Sequence, residues 1–211
     1  MTIIPLDRDF SLRYNEHRFN ISLQRRNPAP PGKTSMPNLE IERKWLIRRP
    51  DETKLSAMAA ETGGSVSYII QTYLAAEEGI SRRVRARTVN GSTTYTCTAK
   101  RRIGPMTAEE DERIISSEEY AALLKDTDPA CRPIEKTRIC IPFEGRTLEI
   151  DLYPFWPDHA VLEIELPSPD APFTLPPELT VLAEVTGNRA YSNHSLARNP
   201  FPPEITKKTP N

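Results

Sequence analysis

The chain has 211 residues with 28 basic and 29 acidic side chains, so its formal net charge of −1 argues against the basic face that general nucleic-acid binding needs. Hydrophobic residues make up 37% of the sequence, which suffices for one folded domain, and no apolar run approaches the roughly 18 to 20 residues of a membrane span. The three cysteines have no metal-ligand spacing and would leave one unpaired in any disulfide scheme, so we expect a reduced, cytoplasmic protein.

The first part of the chain differs in composition from the rest. Residues 1–36 show no sustained periodicity and end in the proline-rich stretch RRNPAPPGKTSMP, which predicts a flexible leader. Met36 stands directly before the first strand-like stretch, and we therefore expect, as a hypothesis, that it is the true initiator. The interpretation divides the chain into this leader, one folded domain over 37–200 and a flexible tail over 201–211.

From Asn38 onward, apolar residues alternate with polar ones in a series of short stretches, as they do in β-strands. This alternation predicts eight strands, at about 39–47, 68–75, 81–89, 93–101, 109–115, 135–142, 146–153 and 160–166. Asn90-Gly91 and the segment around Gly145 predict tight hairpin turns.

Helical patterns lie between and after these strands. They predict helices at about 51–62 and 117–126, a third short helix after Pro176-Pro177, and one more over about 191–197.

Like charges recur on alternate residues of the predicted strands. Residues i and i+2 of a strand lie on one face, about 7 Å apart. Four strands carry a pair of carboxylates on one face: Glu40 and Glu42, Glu110 and Glu112, Glu149 and Asp151, and Glu163 and Glu165. Basic residues follow the same rule: Arg83, Arg85 and Arg87 share a face, as do Lys136 and Arg138, while Lys44 shares the face of Glu40 and Glu42 and Lys100 ends a strand.

The simplest interpretation of one such pair is a solvated face of an amphipathic sheet. However, solvated faces usually mix charges of both signs, because neighbouring like charges repel. Here the signs segregate strand by strand, and the opposite faces are apolar. A closed barrel with its charges inside and helices packed outside accounts for both features. Such a lumen suits Mg²⁺ or Mn²⁺ together with a polyphosphate, since carboxylates bind hard cations and arginine binds phosphate oxygens.

The motif EIERK, from Glu40 to Lys44, resembles the ExExK signature of the CYTH domain, or triphosphate tunnel metalloenzymes. Later motifs occur in the family's order: RVRAR, TCTAK, EEDER, EKTR, LEIDLY, VLEIEL and EVTGNRAYSN. The resemblance covers roughly residues 38–198 and implies an α+β fold, in which helices pack outside a closed eight-stranded antiparallel β-barrel. One departure lies near the C-terminus, where Arg189 is the single candidate cation.

The resemblance also implies roles for individual residues. It implies Glu40, Glu42, Glu163 and Glu165 as metal ligands for Mg²⁺ or Mn²⁺, and Glu40, Glu42 and Lys136 as the catalytic centre. Phosphate would be held by Lys44, Arg83, Arg85, Arg87, Lys100, Arg138 and Arg189. The remaining acids, Glu110, Glu112, Glu149 and Asp151, would support the site. The scattered residues His17, His159 and His194 show no ligand spacing, and we expect no metal at any of them.

The function we expect is metal-dependent hydrolysis of the terminal phosphate of inorganic tripolyphosphate. The same lumen could serve a class IV adenylyl cyclase, a thiamine or nucleoside triphosphatase, or a non-catalytic polyphosphate-binding module. In each case the partner is a small triphosphate or polyphosphate rather than nucleic acid or a membrane. A homodimer is compatible with the sequence but nothing in it requires one.

Overall fold

The computed structural model describes residues 38–202. The predictions for the leader, for Met36 as initiator and for most of the tail lie outside this part of the chain.

The described residues contain nine strands and three α-helices. The strands are β1 (Asn38–Arg48), β2 (Ser65–Leu74), β3 (Ile80–Val89), β4 (Ser92–Arg102), β5 (Thr107–Ile115), β6 (Ile134–Phe143), β7 (Arg146–Leu152), β8 (His159–Glu165) and β9 (Val181–Glu184). The helices are α1 (Glu52–Thr62), α2 (Ser117–Leu123) and α3 (Asn193–Arg198), with 3-10 turns at Leu124–Asp126 and Arg189–Tyr191. No helix in this part of the chain is long and apolar enough to span a membrane.

Strands β1 to β8 close into an antiparallel barrel. The order around it is β5-β4-β3-β2-β6-β7-β8-β1, and β1 then pairs with β5 to complete the circle. Within the barrel, strand β1 has two antiparallel partners: its first residues run beside β5, with Glu40 opposite Ala108, while Glu42 and later residues pair with β8. The predicted eight-stranded barrel is therefore confirmed.

The ninth strand was not predicted. It pairs with β1 at Trp45–Ile47, on the side that β5 occupies earlier along β1. Because β9 has four residues and all are exposed, it lacks the alternation that identifies a half-buried strand.

The two predicted hairpin turns are present and have the expected backbone. Asn90 and Gly91 both have positive φ, at 49° and 77°, as do Glu144 and Gly145, at 48° and 72°. Two consecutive residues of positive φ match the twist of the flanking strands, so each turn sets the register of its hairpin.

The apolar faces of the strands point outward and form a core between the barrel and its covering segments. Ile139, Ile150 and Ile164 are at most 1% exposed and pack in one cluster with Leu55 and Ala59 of α1. Helix α1 begins after Asp51, whose carboxylate accepts from two backbone N–H groups, and ends at Gly63 in the left-handed conformation.

The helix predicted after Pro176-Pro177 is absent. This segment has only turns, with Leu179 N donating to the carbonyl of Pro176. Leu175, Leu179 and Phe173 nevertheless pack on the outer core. Prolines at the start of so short a stretch leave too few backbone donors for a stable helix.

A second apolar cluster fills one end of the barrel. Inward residues at the ends of the strands, including Tyr73 and Tyr153, pack there with Trp156 and with Tyr191 and Leu196 from the C-terminal segment. The helix predicted over 191–197 is thus present as a 3-10 turn followed by α3, and it covers this end of the barrel.

Candidate active site

The charged residues singled out on alternate strand positions face the lumen. Contacts between strands that are not neighbours in the sheet establish this. Arg138 on β6 donates to Glu163 on β8 at 2.6 Å, and Arg83 on β3 donates to Glu110 on β5 at 3.1 Å. Lys100 on β4 forms an ion pair with Glu40 on β1. Such pairs can form only across the interior of the barrel.

The strand order gathers the charges into two continuous arcs. The cationic arc comprises β4, β3, β2 and β6: the inward charges of β4, β3 and β6 are all basic, and β2 carries no charged residue. The anionic arc comprises β7, β8, β1 and β5, whose inward charges are acidic except for Lys44. In chain order the two kinds of strand are interleaved, so the segregation arises only when the barrel closes.

Arginines of β3 line the cationic arc. Arg83, Arg85 and Arg87 have buried Nε atoms with no hydrogen-bond partner among residues 38–202. Burial, together with repulsion from Arg83 and Arg138, lowers the pKa of Arg85 to about 10. Arg87 has no carboxylate within salt-bridge distance among the described residues, and Thr96, which lies opposite Arg85 on β4, has an unpartnered buried hydroxyl. This wall therefore carries positive charge and donors in excess of its anionic partners.

A tight network occupies the lumen where β6 meets β7. Asp151 is fully buried and accepts from Arg138 Nε at 2.6 Å and Nη2 at 2.7 Å, and it also accepts from Lys136 Nζ. Arg138 donates further to Glu149 and Glu163. Burial and the neighbouring guanidinium lower the pKa of Lys136 to about 8, although Asp151 opposes this shift. Burial opposes ionisation of Asp151, but Arg138 and Lys136 stabilise its charged form, so its pKa lies below the usual value.

The anionic arc contains carboxylates that lie close to each other. Glu42 and Glu165 are directly opposite across β1 and β8, and Lys44 forms ion pairs with Glu42 at 3.1 Å and Glu163 at 2.7 Å. Burial disfavours the charge on Lys44, but these two carboxylates outweigh it and raise the lysine pKa. Burial and the neighbouring acids Glu149, Glu42 and Glu110 raise the pKa of Glu165. The anionic arc therefore carries more negative than positive charge.

Glu40 shows the same imbalance. Burial raises its pKa to about 7, and repulsion from Glu110 and Glu42 adds to the shift, whereas Lys100 opposes it. A carboxyl group whose pKa is raised towards neutral pH by burial and by neighbouring acids suits a divalent ion, which would stabilise its charged form.

These observations decide the fold. A closed antiparallel barrel of eight strands holds inward carboxylates on one side and inward arginines and lysines on the other. The chain has the triphosphate tunnel fold.

Comparisons with known proteins show that the chain is similar to several solved structures. The inorganic triphosphatase NE1496 is 28% identical, over 75% of this chain and 94% of that one, with a TM-score of 0.47. PH1819 protein from Pyrococcus horikoshii OT3 is 20% identical over 62% of this chain and 80% of that one, with a TM-score of 0.48. HpAC1 from Hippeastrum is 15% identical over 61% and 81%, with a TM-score of 0.41. No family model and no curated protein matches the sequence.

The tunnel brings together nearly all of the residues predicted for the site. Glu110, Glu112, Glu149 and Asp151 each contact a cation or hydroxyl of the cationic arc: Glu112 accepts from Thr98 at 2.8 Å. Arg189 is the exception. It lies exposed on the 3-10 turn, with no charged partner among residues 38–202, so its role in holding phosphate stays a prediction without geometric support.

Some tunnel residues were missed because they are uncharged. Gln71 and Tyr73 of β2 lie opposite Arg85 and Arg83, and Gln71 accepts from Arg85 Nη2 at 3.2 Å while donating to the hydroxyl of Tyr73 at 2.7 Å. The alternation along β2 predicts their inward direction, but only the pairing of β2 with β3 shows that they orient the arginines.

The acidic residues of the tunnel fit divalent cations by their chemistry. Glu40, Glu42, Glu163 and Glu165 offer carboxylate oxygens, which Mg²⁺ and Mn²⁺ prefer. Glu42 and Glu163 form ion pairs with Lys44, and Glu165 lies opposite Glu42. The repulsion among these acids is the feature that a cation would relieve.

Proposed function

We propose that the protein is a divalent-metal-dependent triphosphatase that hydrolyses the terminal phosphate of inorganic tripolyphosphate inside the tunnel. The observation that carries the proposal is the row of three arginines on β3 whose buried Nε atoms have no partner. Leaving a buried charged donor unpaired costs about 1–3 kcal/mol or more, so the site is built for an anion.

A linear polyphosphate suits the shape of this row. Successive inward arginines of β3 are about 7 Å apart along the strand, and each guanidinium can grip two phosphate oxygens. Lys100 and Arg138 extend the cationic arc on both sides of the row. Inorganic anions with several linked phosphates would therefore lie along the wall formed by β3 and β4.

The opposite wall would hold the metal. Glu40, Glu42, Glu163 and Glu165 are the candidate ligands, and a bound Mg²⁺ or Mn²⁺ neutralises phosphate charge and activates water. The supporting acids act on the arginines: Asp151 and Glu149 fix the guanidinium of Arg138 from two sides. Asp151 holds the buried ammonium group of Lys136 in the lumen by an ion pair. From this position the lysine charge can stabilise the phosphoryl group during transfer.

The direct experiment measures phosphate release by purified protein from tripolyphosphate and from ATP, with Mg²⁺, with Mn²⁺ and with EDTA. We expect rapid release of one phosphate from tripolyphosphate, slower turnover of ATP and no turnover in EDTA. Glu42→Gln should abolish turnover, while Glu61→Gln, an exposed glutamate on α1, should not.

Other outcomes would assign other functions. Cyclic AMP and pyrophosphate from ATP would identify an adenylyl cyclase. Tight binding of polyphosphate without turnover, unaffected by EDTA, would identify a binding module and refute the proposed hydrolysis.

A further inference from the structure

A second group of ligand-type side chains lies outside the lumen, behind its apolar end. Asp128, Cys131 and His194 bring a carboxylate oxygen, a thiol sulfur and an imidazole nitrogen within 4.8 Å of one another. In the part of the chain that the structure describes, this is the one such group of His, Cys, Asp or Glu. We propose that these three residues form a site for a thiolate-preferring divalent cation such as Zn²⁺.

The segment before β6 holds two of the ligands in place. Asp128 N donates to the carbonyl of Tyr73 at 3.0 Å, and Cys131 N donates to the carbonyl of Asp128 at 3.0 Å. One carboxylate oxygen of Asp128 accepts from Ala130 N at 2.9 Å, and the other lies 3.4 Å from Cys131 Sγ. The turn therefore presents sulfur and oxygen side by side without rearrangement of the backbone.

The third ligand comes from the C-terminal segment. His194 lies in the first turn of α3, and its ring packs on that of Tyr73 with 4.7 Å between centroids. Arg132 N donates to the carbonyl of Ala197 at 2.9 Å, which fixes α3 against the segment before β6. The α3 helix and this segment therefore hold the imidazole beside the thiol and the carboxylate.

This donor set favours zinc over the cations expected in the tunnel. Thiolate and imidazole are ligands that Zn²⁺ prefers, whereas Mg²⁺ takes oxygen almost alone. When the metal displaces the thiol proton, Asp128 and Cys131 supply two negative charges that balance its charge. Water can complete a tetrahedral site, because Asp128 and His194 are partly exposed while Cys131 is buried.

Arg198 donates to the same Asp128 carboxylate that would bind the cation. Its Nη2 lies 2.8 Å from an Asp128 oxygen, and its side chain is 51% exposed and thus free to move into solvent. A bound cation would displace this contact. Removing the guanidinium should therefore strengthen metal binding, whereas removing a ligand should weaken it.

The cation would join α3 to the segment that leads into β6. Both segments contribute to the apolar cluster that fills one end of the barrel, through Leu196 and Cys131 among others. The site is thus structural, and it acts on the closure of the barrel rather than on the reaction in the lumen.

Titration with Co²⁺ tests the proposal, because a thiolate bound to Co²⁺ gives near-ultraviolet charge-transfer absorption that the tunnel carboxylates do not give. We expect one equivalent of thiolate-bound Co²⁺ in the full chain, displaced by Zn²⁺ and not by excess Mg²⁺. The absorption should be absent in Cys131→Ser and retained in Cys140→Ser, the matched control in the lumen.

Two further variants separate metal binding from misfolding. His194→Gln should weaken Co²⁺ binding at least about tenfold, and Arg198→Gln should strengthen it, with circular dichroism showing each variant folded. Absence of the thiolate absorption in the folded wild type, or its persistence in Cys131→Ser, would overturn the proposal. Equal Co²⁺ affinities in wild type and His194→Gln would do so as well.

Discussion

The buried carboxylate of Asp151 offers the sharpest test of how the tunnel is held together. Asp151→Asn preserves the shape of the side chain but removes the charge that faces Lys136 and Arg138. Arg138 keeps Glu149 and Glu163 as partners, whereas Lys136 is fully buried and loses its one ion-pair partner among the described residues. The substitution therefore acts on the two cations unequally.

The magnitude follows from the state of Lys136. The pKa of Lys136 is about 8, so deprotonating this lysine at pH 7 costs about 1 kcal/mol, at 1.36 kcal/mol per unit. The variant can avoid an unpaired buried charge by losing this proton, which limits the loss of stability from Lys136 to that amount. Weaker charge-assisted hydrogen bonds to Arg138 add about 2 kcal/mol. The sum, about 3 kcal/mol at pH 7, corresponds to a fall in Tm of roughly 6–12 °C for a domain of this size.

The pH dependence has a defined sign. The free energy needed to deprotonate a folded-state lysine increases as the pH falls below its pKa. The part of the loss due to Lys136 should therefore rise to about 3 kcal/mol at pH 6 and nearly vanish at pH 8.

Thermal unfolding at pH 6, 7 and 8 measures these differences, with Asp111→Asn as the matched control. Asp111 is exposed on the outer face of β5, and its substitution should change Tm little. If Asp151→Asn lowers Tm equally at all three pH values, the assigned state of Lys136 is wrong. An unchanged Tm at pH 6 would mean that Asp151 does not neutralise the cations.

Three other predictions follow from the site and its frame. Arg85→Ala should raise KM for tripolyphosphate about tenfold or more in steady-state kinetics, because it removes a charge-assisted phosphate contact. Arg82→Ala, on the outer face of β3, is the control and should leave KM unchanged. Equal effects of the two substitutions would mean that Arg85 does not contact the substrate. Burial raises the pKa of Glu40 from 4.5 to about 7, so between these values the folded protein in EDTA keeps a proton that the unfolded chain has lost, and its stability should fall as the pH rises from about 5 to 7. Glu40→Gln should lose less stability over this range in thermal melts; parallel curves would contradict the raised pKa. Gly64→Ala would bring a methyl group 2.1 Å from a backbone oxygen of β6, which should destabilise the protein by at least about 1–3 kcal/mol in urea unfolding; Gly104→Ala, with no neighbour closer than 3.6 Å, is its control.

The barrel was predictable because its strands have two different faces. Alternation of charge and apolar side chains along β1, β3 and β6 located each strand to within a few residues, and the hairpin at Asn90-Gly91 set one register. Strand β9 lacked that signal, since it is short, exposed on both faces and added to an edge. Prediction therefore succeeded where burial imposed a period on the sequence.

The arrangement of the site was less predictable than its membership. The alternation marked which carboxylates and cations share a face, but only the strand order shows that the two kinds form separate arcs. Contacts such as Arg138 to Glu163 join strands that are not hydrogen-bonded neighbours, and no local pattern encodes them. For the same reason the proximity of Asp128, Cys131 and His194 was not predicted, because His194 follows Cys131 by 63 positions in the sequence.

The ion pairs that cross the lumen have a consequence for folding and for ligand binding. Arg83 with Glu110, Lys100 with Glu40 and Arg138 with Glu163 act as counter-ions for each other while no ligand is bound. The barrel can therefore reach its final shape before any metal or anion arrives. Binding then becomes an exchange of internal partners for external ones, in which the anion frees the carboxylates that the metal needs. Binding of the anion to the arginines and lysines should therefore favour binding of the metal to the carboxylates, and binding of the metal should favour binding of the anion.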